Sequence, residues 1–380
     1  MFRDSGVKHL IDSAVKGYSA TIFAYGPTGS GKTFSIAGVP EKVAKKRRHE
    51  DITVESTDGL IVRSIAYLFE AVRAYATKFQ VRASCLEIYN ETVIDLLDKK
   101  GEALAVRFDT AAGSFFVDRL AEVQCGSDSE VIRLFAKGME MRRVAEHQLN
   151  RDSSRSHCLL TVHIDSVQMV DGHEQQCRGK ITFVDLAGSE RLKDSQSAGS
   201  TLKETGSINR SLFTLGKVIS SLCDKKSVKA PYRDSKLTQL LMDSVGGTSM
   251  TIMLACISPS QHSVAETLRT LDYAARAKNI KNKPVVLLDP QQNIVKELKM
   301  EIQALREENQ RLRDALAQKA AGAGGASSLP PPSSFFGSIE SAGRVSKFEN
   351  SGSKFGASLA GTGGAYSDAG RPPKKVRPVI

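Results

Sequence analysis

The chain has no apolar run of membrane-spanning length, and its amino terminus lacks a signal-peptide core. Both absences argue against a helical membrane protein or a secreted one and point to a soluble intracellular protein. Cysteine pairing is missing too. Cys85, Cys125, Cys158, Cys177, Cys223 and Cys256 lie far apart, without metal-type spacing, and several fall in apolar strand-like runs. Buried, reduced thiols are therefore expected, with neither a zinc site nor a disulfide framework. Beyond Ala320 large apolar side chains become scarce and Ala, Gly, Ser and Pro dominate. Such a segment cannot bury enough surface to offset its ordering entropy.

What is present divides the 380 residues into a globular mixture up to about Pro284, a charged Leu-spaced helix over 291–319 and a disordered low-complexity tail over 320–380. The formal net charge of +11 suits an anionic partner: nucleic acid, acidic lipid or an acidic protein surface.

Gly26-Pro27-Thr28-Gly29-Ser30-Gly31-Lys32-Thr33 fits the G-x-x-x-x-G-K-[ST] pattern. Its glycines let backbone N–H groups turn inward on a phosphate. Lys32 adds a point charge for the terminal phosphates, and Thr33 offers a hydroxyl to magnesium. The β-branched and aromatic "SATIFAY" (Ser19 to Tyr25) predicts a buried strand running into this loop. A Gly-rich turn matching by chance is the competing reading, and two later segments weigh against it. "NRDSSRSH" (Asn150 to His157) is a dense run of hydroxyls and arginines before a strand-like stretch. "ITFVDLAGSE" (Ile181 to Glu190) is a strand ending in an acid and then a glycine. An aspartate at a strand end beside a phosphate-loop strand is where a magnesium-water ligand belongs, and a following glycine can lend its N–H to a γ-phosphate.

Taken with "YRDSKLTQLL" (Tyr232 to Leu241), "ETLRTLDYAARAKNIKNKP" (Glu266 to Pro284), "LEIYNETVIDLL" and "SINRSLFTLGKVISSL", these segments resemble the kinesin motor domain almost continuously from Phe2 to Pro284. The resemblance implies an α/β P-loop fold of the kinesin type over 1–284, a central mixed sheet flanked by helices. It implies ATP and magnesium as cofactors, with Gly26 to Thr33 on the phosphates. Ser153 and Ser154 would help hold magnesium and the attacking water, Asp185 would bind magnesium through water, and Gly188 would sense the γ-phosphate. Arg155 and Glu190 resemble an ion pair that closes over the nucleotide. Lys217, Arg233 and Lys236 are assigned by the same resemblance to acidic tubulin, with solvated surface charges as the alternative. Ile208, Leu212, Leu215, Val218, Ile219 and Leu222 follow helical spacing and should form a buried stripe.

Three residues depart from the family pattern: Pro27 where Gln is common, Thr248 where Asn is usual, and Val62 where Pro is usual. Only Pro27 touches the chemistry, since it removes one backbone donor from the cradle. The match also begins at the helix before the phosphate-loop strand, so the family's first strands, including an adenine-contacting segment, are expected to be lacking, leaving an open sheet edge and an open base side.

Residues 278–290 resemble a neck linker, with two prolines bounding a β-branched core that suits a strand added to a sheet edge. In the helix that follows, Val295, Ile302, Asn309 and Leu316 fall at heptad a, and Leu298, Leu305 and Leu312 at d. β-Branched a with Leu d favours a parallel homodimer through 295–316, and a lone Asn at a sets register. A single surface helix is the alternative. The basic clusters 45–49 and 373–377 read either as import-like signals or as solvated charge.

The function expected is an ATP-dependent microtubule motor on cytoplasmic microtubules, plus-end directed by resemblance to motors with the linker behind the domain. The alternative is a degenerate or truncated kinesin that binds microtubules or heterodimerises without productive ATPase. Nucleic acid is disfavoured as a partner, because the tubulin-side segments match the family.

Overall fold

In the computed structural model, the described residues are 2, 5–39, 54–98, 100–149, 153–170, 173–190, 200–224, 230–287 and 290–322. The basic clusters 45–49 and 373–377 lie outside them, as does the tail from 323 onward. Helix α1 (Val7–Val15) precedes β1 (Ser19–Tyr25), the strand expected from "SATIFAY". Short α2 (Lys32–Ile36) follows the Gly-rich loop, and α3 spans Leu60–Tyr75. Next come β2 (Lys78–Tyr89), β3 (Thr92–Asp95), β4 (Ala103–Leu104), β5 (Val106–Asp109), β6 (Ser114–Val117) and β7 (Val123–Cys125). The rest of the domain comprises α4 (Asp128–Leu149), β8 (Ser156–Val170), β9 (His173–Asp185), α5 (Ser200–Cys223), α6 (Lys236–Leu240), β10 (Met250–Ala255) and α7 (Val264–Lys278). Helix α8 runs Pro290–Gly322, slightly beyond the bounds expected for the charged helix.

The main sheet has the order β10-β1-β9-β8-β2-β3-β4, with β7 also on β2, while β5 and β6 form a separate hairpin. β1 is parallel to both β10 and β9, and the remaining pairings of the main sheet are antiparallel. Side-chain alternation along β1 explains why this sheet needs helices on both faces. Ala20, Ile22 and Ala24 enter a core with α1, α2, α3 and α4, built around Ile11, Ile65, Phe69 and Phe135. Phe23 points the other way, into a core with Leu215, Val218 and Ile219 of α5, Leu237 of α6 and Tyr273 of α7. The predicted α5 stripe is thus buried at Leu215, Val218 and Ile219 and half-buried at Leu212 and Leu222, while the side chain of Ile208 lies outside the described residues. Val62 is fully buried in α3, so the residue that departs from the family pattern has become part of the core.

β10 pairs with β1 alone among the described strands, and five of its six residues are half-buried. Among the described strands it is an edge strand. The neck segment behaves differently from a full added strand. It makes one antiparallel bridge, Val286 to Tyr18, framed by hydrogen bonds from Leu287 N–H to Gly17 O (2.8 Å) and from Arg178 N–H to Leu287 O (2.9 Å). All six cysteines are free; five are buried and Cys223 is exposed.

Candidate nucleotide site

The site follows from register. Ala24 of β1 lies opposite Asp185 of β9, so the loop that leaves β1 after Tyr25 emerges beside the acid that ends β9. On the other side Tyr25 lies opposite Ala255 of β10. Ligands of open α/β sheets bind outside the carboxyl ends of parallel strands, where these three strands stop. Gly26 is required here: a Cβ would meet the carbonyl oxygen of Cys256 at 2.1 Å, with φ of 155°.

Thr28, Gly29, Gly31, Lys32, Thr33, Phe34, Ser154, Asp185 and Leu186 line a cavity of about 320 Å³. Pro27 has lost its own N–H, yet its carbonyl organises the loop. It accepts from Ser30 N–H (3.2 Å), Ser30 Oγ (2.7 Å) and Lys32 Nζ (3.0 Å). Lys32 is only 7% exposed, and burial lowers its pKa below the ordinary lysine value while Asp185 and Glu190 act in the opposite direction. Thr33 Oγ1 donates to Asp185 Oδ2 at 2.7 Å.

Asp185 belongs to a buried charge cluster that sequence reasoning missed. Arg142 of α4, 4% exposed, reaches Asp185 Oδ2 through Nη1 (3.4 Å) and Glu87 Oε1 of β2 through Nε (3.3 Å). The same guanidinium donates to Ser156 Oγ (2.9 Å) and Ser156 O (3.2 Å). Asp185 Oδ1 is buried without a hydrogen-bond partner among the described residues. An acid inside the apolar "CLEIY" run was the available signal, since a buried carboxylate needs a partner.

Three consecutive amides after Asp185 are held from different directions. Ala187 N–H donates to His157 Nδ1 (2.9 Å), Gly188 N–H to Ser154 O (2.7 Å) and Ser189 N–H to Gly26 O (3.1 Å). A Cβ at Gly188 would lie 2.3 Å from Thr28 Oγ1, so the Thr28 and Glu190 side chains would have to shift to admit one. Glu190 holds Thr28, accepting from its N–H at 2.8 Å and from its hydroxyl. Among the described residues Glu190 is not paired with Arg155, the partner expected from the resemblance. Ser153 and Ser154 form a short turn just ahead of β8, with Ser154 on the cavity; the side chain of Ser153 lies outside the described residues.

The three basic residues assigned to tubulin fall on neighbouring elements of the α5 face. Lys217 is exposed, with Nζ 4.6 Å from the ring of Phe213, itself 64% exposed. Arg233 lies 5.7 Å from the Phe108 ring of the β5-β6 hairpin. Lys236 opens α6, and its N–H donates to Glu91 Oε2 (2.6 Å) while Ser235 Oγ donates to Glu91 Oε1 (2.6 Å). Glu91 makes this contact from a left-handed backbone (φ 58°), following Asn90 (φ 49°) in the two-residue turn between β2 and β3. A non-glycine residue in that conformation is strained, and the two hydrogen bonds account for its place here.

A phosphate loop at the end of a central parallel strand, with an acid at the end of its neighbour, is the arrangement of the P-loop nucleotide-binding fold. Residues 1–280 match the kinesin motor domain family. Kinesin-like protein KIF12 of Mus musculus is 42% identical over 327 residues, which is 84% of this chain and 50% of that protein. Chromosome-associated kinesin KIF4 of Xenopus laevis is 43% identical over 310 residues, 80% of this chain and 24% of that one. Kinesin-like protein KIF15 of Strongylocentrotus purpuratus is 44% identical over 323 residues, 83% of this chain and 21% of that one. Among solved structures, one of a fast kinesin superposes with a TM-score of 0.67 at 37% identity, covering 76% of this chain and 78% of that one. The chain belongs to the kinesin motor domain family, whose members are ATP-binding motors of microtubule-based movement. It spans half the length of the mouse relative and about a quarter or less of the other two.

Proposed function

We infer that the chain hydrolyses ATP with magnesium and couples that turnover to microtubule binding and to docking of the neck segment, with plus-end directed movement. The observation that carries this reading is the convergence of Lys32, Thr33, Ser154 and Asp185 on one cavity at the ends of β1 and β9. The donor set fits magnesium. Thr33, Ser154 and Asp185 would hold it, and Asp185 has a buried oxygen still without a partner among the described residues. Those residues contain no group of three or more His, Cys, Asp or Glu able to cage a metal alone. Magnesium is normally held by one or two carboxylates and the phosphates themselves, so no cage is needed. Its contribution when bound with ATP is to neutralise charge on the terminal phosphates.

The chain's own residues do the positioning. Lys32 has two further N–H donors for a phosphate beside the bond to the Pro27 carbonyl, and Gly188 N–H must leave Ser154 to serve a γ-phosphate. Glu190 must release Thr28 before it can pair with Arg155. Each exchange swaps an internal hydrogen bond for one made in the loaded state, which ties hydrolysis to conformation. Lys217, Arg233 and Lys236 offer the positive face that acidic tubulin would meet. The exposed Leu298, Ile302, Leu305, Leu312 and Leu316 of α8 support a parallel dimer. This reading places the protein on cytoplasmic microtubules.

ATPase rate measured with and without microtubules tests the reading, and strong stimulation is expected. Absence of stimulation overturns it. Microtubule binding without turnover would support a binding or heterodimerising protein instead. The feature favouring that second reading is Glu190 on Thr28, where a carboxylate occupies a donor of the phosphate loop.

A further inference from the structure

His157 is 2% exposed and stands second in β8, directly after the turn that carries Ser154. Ala187 N–H donates to its Nδ1 at 2.9 Å. A backbone N–H can only donate, so Nδ1 carries no proton and the neutral ring holds its proton on Nε2. Nε2 lies 2.7 Å from Ser211 Oγ, so the imidazole donates there. Burial, assisted by Arg142 and Lys32, lowers the pKa of the ring to about 3 and keeps it neutral. The tautomer is therefore set by the structure, and the ring bridges two elements through opposite atoms.

Those two elements belong to different parts of the machine. Ala187 directly precedes Gly188 in the turn at the nucleotide cavity. Ser211 is a buried residue of α5, on the helix that presents Lys217 to solvent. The other amides of the turn, at Gly188 and Ser189, are held by Ser154 O and Gly26 O, which stay on the nucleotide side. The imidazole is planar and rigid, so the separation between the atoms that hold its two partners is fixed.

We propose that His157 is a positioning residue that ties the turn carrying Gly188 to helix α5, so that reorientation of the turn on nucleotide binding is passed to the Lys217 face. This inference rests on the nucleotide-dependent motor reading above. No step passes through a change of charge on His157; the ring acts as a neutral strut. Asn in its place keeps an acceptor near the Nδ1 position but falls short of Ser211, whereas Gln keeps a donor near the Nε2 position.

Hydrogen exchange of the full chain, with and without the magnesium complex of a non-hydrolysable ATP analogue, tests the link. In the parent chain the analogue should alter exchange both at 19–36 and at 210–223. In His157→Asn and in Ser211→Ala the response at 19–36 should persist, while that at 210–223 should weaken about fivefold or more, as expected for loss of a coupling of about 1 kcal/mol. His157→Gln should restore part of it. An unchanged response at 210–223 in both variants overturns the proposal, as does equal loss in both segments, which marks a merely structural role. If His157→Asn fails to fold, Ser211→Ala decides alone. No response at 19–36 in the parent chain is a failure of nucleotide binding itself, and the proposal falls with it. Microtubule-stimulated turnover is a separate readout, so loss of stimulation in a parent chain that keeps both exchange responses counts against the motor reading and not against the link.

Discussion

Strands β10, β1 and β9 run parallel and stop together beside the nucleotide cavity, whereas β8, β2, β3 and β4 pair antiparallel. The antiparallel half can close its connections locally, as the two-residue turn at Asn90 and Glu91 does. The parallel pairings, β1 with β9 and β1 with β10, cannot be closed by a tight turn, and the free carboxyl ends of these strands are where loops can turn toward a ligand. The buried charges sit at the seam between the halves. Glu87 and Asp185 reach Arg142 from opposite sides, from β2 and from the end of β9. The comparison assigns different work to each half: the parallel strands present the chemistry, and the antiparallel strand β2 adds a second acid, Glu87, to the buried cluster that Arg142 of α4 neutralises.

The sharpest break of this division is Arg142→Ala. It strands two buried carboxylates and should cost about 3–5 kcal/mol of stability, read as a lower denaturation midpoint. If the loss is under about 1 kcal/mol, the seam is not the support described. Lys32→Ala acts on the parallel half alone. It should reduce ATP turnover about 100-fold or more while lowering the denaturation midpoint less than Arg142→Ala does. A smaller effect concerns pH. The His157 pKa is lowered to about 3 from the ordinary 6.5, so the unfolded chain takes up a proton that the folded chain refuses. Stability should be steady near neutrality and decline as pH falls through about 6.5 toward 3. His157→Asn should flatten that decline in chemical denaturation at stepped pH. Lys217→Ala, on an exposed residue away from both halves, should weaken microtubule affinity only a few-fold, an effect of about 1 kcal/mol or less that fades in high salt.

Much of the parallel half was legible in the sequence because its signals are local. "SATIFAY" combines β-branched and aromatic residues with an immediate Gly-rich loop, and its strand bounds match those observed. "ITFVD" likewise ends where β9 ends. The α5 stripe was legible from helical spacing alone, at Leu215, Val218 and Ile219. What stayed hidden depends on partners distant in sequence. Arg142 carries no local sign that it will lie under Asp185, because the meeting is made by α4 packing across β2 and β8. Glu190 shows the other limit. The resemblance pairs it with Arg155, while here its carboxylate satisfies the nearer loop donors of Thr28. The neck segment was readable as extended chain, but its length of contact was not, since that depends on what Gly17 and Arg178 leave open.

That last contact acts as a clasp whose strength can be gauged. Leu287 exchanges hydrogen bonds with Gly17 O and Arg178 N–H, all through backbone atoms. Two such bonds contribute about 0.5–1.5 kcal/mol each, so about 1–3 kcal/mol holds the clasp shut. Closed and open forms then differ about 5- to 150-fold in population, a gap that one binding event elsewhere can reverse. Because the grip is made by peptide groups, side chains at 285–287 can vary widely without altering which backbone atoms meet. Gly17 and Tyr18 directly precede β1, the strand that delivers the phosphate loop. Opening the clasp therefore loosens the chain at the near end of the strand that carries the chemistry at its far end.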